Sequence, residues 1–165
     1  MISSVAFSDS DGRELVAAQT GGPMIARINY VANEPVANAV FELFIYSGNR
    51  ELLCHLSTEF NDQRIDLEAG PGMAEVSCTE LGLKPGIYYV DATIKHRDAV
   101  DDLDWQRNCA TLRVDPGKMQ RGSFYMPHTW RVIQRSGRAD NIESGVARLF
   151  DRLGADRATV DVKPS

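Results

Sequence analysis

Apolar and polar positions alternate with period two along most of the chain up to residue 115. Over residues 24–32, Met24, Ala26, Ile28, Tyr30 and Ala32 share one face of an extended strand, and Ile25, Arg27, Asn29 and Val31 share the other. Over residues 38–46, Phe41, Leu43 and Ile45 face one way and Val40, Glu42, Phe44 and Tyr46 the other. Both faces carry bulky groups, which predicts a central strand covered in part on each side. Ser47-Gly48-Asn49-Arg50 then makes a hairpin into a strand over 51–56. Short strands are expected over 3–7 and 14–18, each followed by a turn, Ser8-Asp9-Ser10-Asp11-Gly12 and Thr20-Gly21-Gly22-Pro23.

Residues 57–71 are polar and read as a loop, and 73–81 as a strand with Ala74, Val76 and Cys78 facing one way. The strongest pattern lies over 80–94. Pro85-Gly86 forms a tight turn, because Pro presets φ at the first corner and Gly accepts positive φ at the second. Beyond it Tyr88, Val90, Ala92 and Ile94 form an apolar face, and Tyr89, Asp91, Thr93 and Lys95 a mixed one. A charged connection over 96–104 leads to a strand over 105–115, with Ala110, Leu112 and Val114 inward and Cys109, Thr111 and Arg113 outward. Residues 122–130 read as an edge strand or extended arm. About seven strands without a long helical pattern predict an all-β fold, an immunoglobulin-like or jelly-roll antiparallel sandwich over residues 1–134.

The period changes in the tail, residues 135–165. Asp140 is placed to cap a helix, with Glu143 three residues on. Ile142, Val146, Leu149, Phe150 and Leu153 then follow helical spacing up to Gly154, which predicts a short C-terminal amphipathic helix over about 141–153 and an unstructured end.

Composition narrows the function classes. A net charge of −5 argues against nucleic acid or an anionic membrane as the main partner, since both require a concentrated positive field. No apolar run reaches the length of a membrane span. The three cysteines, Cys54, Cys78 and Cys109, have no Cys-x-x-Cys spacing and fit a reducing, cytoplasmic compartment. Asp9-Ser10-Asp11-Gly12 matches the middle of a calcium loop, but Phe7 and Ala18 stand where the first and closing ligands belong, so a turn is expected and no metal site.

Taken together, several motifs resemble the C-terminal carbohydrate-binding domain of the ATP-binding subunit of O-antigen polysaccharide ABC transporters, the Wzt type. They are Val5-x-Phe7 before Asp11-Gly12, Gly21-Gly22 before Ile28-x-Tyr30-x-Ala32, Phe41-x-Leu43-x-Ile45, Leu81-x-Leu83-x-Pro85-Gly86-x-Tyr88-x-Val90, and Leu112-x-Val114. The likeness covers roughly residues 1–130. It implies an immunoglobulin-like sandwich that recognises the exported glycan on the cytoplasmic side, usually as a homodimer, beside the nucleotide-binding and membrane subunits of an exporter. The phosphate-binding loop Gly-x-x-x-x-Gly-Lys-Ser/Thr of such a transporter is missing, so no ATP hydrolysis and no cofactor are expected. The tail lies outside the resemblance.

A glycan-binding sheet needs an aromatic platform for the C–H face of a sugar and polar groups for its hydroxyls. If the strands over 38–46, 87–96 and 105–115 are neighbours, their outer faces bring together Glu42, Phe44, Tyr46, Tyr89, Asp91, Thr93 and Arg113, the candidate ligand-binding residues. The same aromatics also suit packing under a loop or a second subunit. Catalysis is not expected. His55, His96 and His128 are far apart, no nucleophile elbow or His-Glu-x-x-His motif occurs, and a pair such as Glu42 and Asp91 is easily found among 23 acids. The remaining alternative is a protein–protein interaction module that docks a partner by the sandwich face or by the tail stripe from Ile142 to Leu153.

Overall fold

Ten strands and one 3-10 turn, Thr58–Phe60, account for the regular structure of the computed structural model, which describes residues 1–60, 64–98, 101–118, 121–133 and 139–142. The strands are β1 (Ile2–Ser8), β2 (Ala18–Gln19), β3 (Met24–Ala32), β4 (Ala39–Tyr46), β5 (Leu52–Ser57), β6 (Gly70–Cys78), β7 (Gly86–His96), β8 (Asp102–Asp115), β9 (Trp130–Ile133) and β10 (Ala139–Ile142). The chain divides into two units, Met1–Tyr125 and Met126–Ser165.

In the first unit the expected alternation builds two sheets. One has the order β1-β3-β6, and the other β2-β8-β7-β4-β5, with all neighbours antiparallel except β2 and β8. Their apolar faces share one core. Met24, Ala26 and Ile28 come from β3, Phe41, Leu43 and Ile45 from β4, Tyr88, Val90, Ala92 and Ile94 from β7, and Leu112 and Val114 from β8. Each large side chain among them stabilises the fold by about 1.5–3 kcal/mol through burial. The three strands expected to be neighbours are neighbours, in the order β8-β7-β4.

Several boundaries moved for physical reasons. β6 begins at Gly70, inside the stretch expected to be a loop, and stops at Cys78. Gly72 allows this, because the Tyr30 ring lies where a Cβ would stand. Pro71 is tolerated because β6 is an edge strand. Leu81 leaves the ladder to exchange backbone bonds with the Gly21-Gly22 turn, Leu81 N–H to the Gly22 carbonyl and Gly21 N–H to the Leu81 carbonyl, each 2.8 Å. β8 starts at Asp102, within the expected charged connection. Asp102 pairs with Lys95, and the Asp104 carboxylate accepts the Ile2 N–H at 2.7 Å. The strand expected over 14–18 is reduced to an isolated bridge between Ser8 and Glu14 plus the short β2. Between β5 and β6, the free edges of the two sheets, an apolar cleft of about 110 Å³ opens, lined in part by Ile28, Phe41, Leu56 and Val76.

In the second unit β9 and β10 form an antiparallel hairpin, with Trp130 opposite Ile142. Residues 122–129, expected as an edge strand or arm, hold no strand. Asp140 and Ile142, placed at the start of the expected helix, lie in β10. The rest of that helix, from residue 143, lies outside the described residues.

Candidate functional site

The outer face of the five-stranded sheet is set by the register of β4 with its neighbours. Glu42 stands opposite Thr93 on β7 and Ser57 on β5, and Phe44 opposite Asp91 and His55. Tyr46 stands opposite Tyr89, which is in turn opposite Thr111. Because side chains alternate along a strand, these groups project away from the core.

Glu42 is 5% exposed and fully engaged. Thr93 Oγ1 donates to its Oε2 at 3.0 Å, and Ser57 Oγ to its Oε1 at 3.2 Å. His55 Nε2 lies 3.2 Å and Lys95 Nζ 3.4 Å from the same Oε1. Burial works against the charge, but the Thr93 hydroxyl, the Lys95 ammonium and the Ser57 hydroxyl together hold the carboxyl below its ordinary range. Lys95 also donates to Glu59 at 3.1 Å. Its own burial disfavours the ammonium, yet the Glu59 and Glu42 carboxylates keep it charged above the usual lysine range.

A β-bulge organises the other half of the face. Between the pairs Ala92–Gln106 and Val90–Ala110, β7 contributes only Asp91 while β8 contributes Arg107, Asn108 and Cys109. Asn108 takes a left-handed φ of 49° to make the bend. Asp91, 1% exposed, fills the space beneath it. Its Oδ1 accepts the Asn108 N–H at 2.8 Å, and its Oδ2 accepts from Arg50 Nη2 at 3.2 Å. Arg50 Nη1 also donates to Asn108 Oδ1 at 2.6 Å, and the guanidinium lies 4.3 Å over the Tyr46 ring. Cys109, expected outward, is turned to the core side by the bulge, where its thiol donates to the Val90 carbonyl at 3.3 Å. Burial, with the Asp91 charge adding to it, pushes that thiol up to about 11.

Above these buried groups runs a row of rings. Phe60 meets His55 edge-on at 5.6 Å, His55 stacks on Phe44 at 4.4 Å, and Phe44 neighbours Trp105 at 6.3 Å. Arg107 lies 4.6 Å over the Trp105 ring. The row crosses from β5 to β8, roughly 14 Å at the usual strand spacing. Phe60 and Trp105 are open to solvent, 72% and 44% exposed.

Of the seven residues singled out by sequence, Phe44, Tyr46 and Tyr89 stand at the surface of this face, half-buried. Glu42, Asp91 and Thr93 lie beneath it, with their polar atoms committed to neighbours. Arg113 is exposed one same-face rung beyond Tyr89, opposite Ile87, and pairs with Asp115 at 2.8 Å. Sequence reasoning did not select Arg50, His55, Phe60, Trp105, Arg107 or Asn108. Among the described residues no cluster of histidine, cysteine, aspartate and glutamate has a metal-holding geometry. The chemistry this face offers is stacking, hydrogen bonding and charge.

A family model, the Wzt C-terminal domain, matches residues 1–126. The chain belongs to the Wzt C-terminal domain family. That is a transporter-associated family, and it connects the domain with a polysaccharide transporter. Among solved structures, the crystal structure of the C-terminal domain of Wzt is similar, with a TM-score of 0.60 and 12% identity over 88% of this chain and 81% of that one. At that identity the likeness is one of fold. A putative β-galactosidase from Bacteroides fragilis aligns at a TM-score of 0.38 and 13% identity, over 62% of this chain and 15% of its own. No curated protein matches. Among the described residues no helix is long and apolar enough to cross a membrane.

Proposed function

We propose that this domain binds a bacterial surface polysaccharide, of the O-antigen class, on the outer face of its five-stranded sheet. In this reading it serves an ABC exporter on the cytoplasmic side, as a homodimer beside the nucleotide-binding and membrane subunits. It contributes recognition and no catalysis. The observation that carries the reading is the ring row from Phe60 to Trp105, laid over a hydrogen-bonded network that includes Glu42, Asp91, Thr93 and Lys95. Rings take the C–H faces of sugars, and the flanking Arg50, His55 and Tyr89 supply groups for hydroxyls. Family membership supports the same reading.

Calorimetric titration with the source organism's own polysaccharide, beside an unrelated one, tests it. Selective binding is expected, weakened about tenfold or more by Trp105→Ala with the fold intact. Binding of neither glycan by folded protein defeats the reading. A second reading, a protein-docking face, draws on Leu52, Leu53 and Phe60, which are 49%, 45% and 72% exposed near one edge. It predicts that Phe60→Ser changes the mass in solution and leaves glycan binding unaltered.

A further inference from the structure

We infer that the glycan carries an acidic group, and that Arg107, mounted on the β8 bulge, is the residue that selects it. The inference rests on the glycan-binding reading above. It starts from a charge census of the outer face. Lys95 is matched by Glu42 and Glu59, Arg50 by Asp91, and Arg113 by Asp115. Arg107 is exposed and has no carboxylate partner among the described residues; its contact is the Trp105 ring.

Its setting suits an anion. Stacking on the indole occupies the flat side of the guanidinium and leaves the in-plane N–H donors open, the geometry that grips a carboxylate or phosphate with two parallel bonds. A sugar seated on the ring row brings its substituents to that edge. Arg107 is also held. The bulge that presents it is pinned from below by Asp91 on the Asn108 N–H and from the side by Arg50 on Asn108 Oδ1. A bulge that re-aims one side chain is a common device beside binding sites. Since Asp91 and Glu42 are each matched by cations, no free carboxylate in this network cancels the Arg107 charge. A uronic-acid carboxylate and a phosphate ester present the same chemistry to it.

The test uses the full chain and the source organism's polysaccharide in three forms: untreated, carboxyl-reduced so that uronates become neutral sugars, and treated with hydrofluoric acid to remove phosphate. Wild-type protein and Arg107→Gln are titrated with each. Wild-type affinity is expected to fall about tenfold for the form that has lost the acidic group, which also identifies its source as carboxylate or phosphate. Arg107→Gln is expected to lose the same factor on untreated glycan and nothing further on that treated form. Equal wild-type affinity for all three forms overturns the inference and leaves glycan binding standing. An Arg107→Gln loss that persists on the neutralised glycan also overturns it. No binding of untreated glycan overturns both readings together.

Discussion

The sandwich has two outer faces, produced by the same alternation and finished differently. On the β1-β3-β6 sheet the outer positions are Ser4, Arg27, Asn29, Val31 and Glu75. Asn29 donates to Ser4 at 3.0 Å, and Arg27 pairs with Glu75 in the open. Such pairs stand in water and contribute little. On the five-stranded sheet the carboxylates of Glu42 and Asp91 are sunk beneath rings, each with several donors. Leaving either unpaired is costly, so the groups around them are held in one arrangement before a ligand arrives. A solvated face only has to keep the protein in solution, whereas a preorganised one suits the recognition proposed above.

The sharpest way to break this comparison is to remove one acid from each face. Asp91→Ala strands the Asn108 N–H and the Arg50 guanidinium, and is expected to cost about 2–3 kcal/mol in urea unfolding, the partial exposure of Arg50 tempering the loss. Glu75→Ala should cost no more than about 0.5 kcal/mol. Equal costs would show that the two faces do not differ in this way. In binding, Phe44→Ala should reduce glycan affinity about tenfold, while Val31→Ala on the opposite face leaves it unchanged.

Acid provides a finer test. The Glu42 carboxyl titrates lower in the folded chain than in the unfolded one, so its stabilisation is complete above the ordinary glutamate value of 4.5. It is lost as the pH falls through the lower folded value. Urea midpoints of the wild type should therefore drop more steeply than those of Glu42→Gln below that pH, and a parallel pair of curves would remove Glu42 from the account. The smallest effect concerns Cys109, whose thiol at about 11 should resist alkylation at about pH 8 in the folded chain and react readily in denaturant. Rapid native labelling would mean that the bulge opens.

Much of this was legible beforehand. The core face of β7 follows from Tyr88, Val90, Ala92 and Ile94, and the neighbours of Glu42 and Phe44 follow once β4, β7 and β8 are placed side by side. The family resemblance drawn from those motifs agrees with the match over residues 1–126. What stayed hidden has two physical sources. The bulge adds residues without changing composition, so alternation carried through residues 105–115 put Cys109 on the wrong side. Asn108 was its only local cue, since asparagine enters the left-handed region more readily than most residues. Arg50, with φ of 62°, gave no such cue. Phe60 and His55 reach the ring row through the 3-10 turn at Thr58–Phe60 and through cross-strand register, which are long-range facts.

The pleat of β7 has a consequence for descent. Even-numbered residues from Tyr88 to Ile94 answer to the core, and odd-numbered ones from Tyr89 to Lys95 belong to the outer face and to the network beneath it. One strand thus spells two messages in interleaved letters, and mutation can rewrite the second while the first is preserved. Relatives can diverge in sequence and keep one architecture, as a shared fold at 12% identity illustrates. Asp91 is the letter that both messages read, and there the freedom to diverge is smallest.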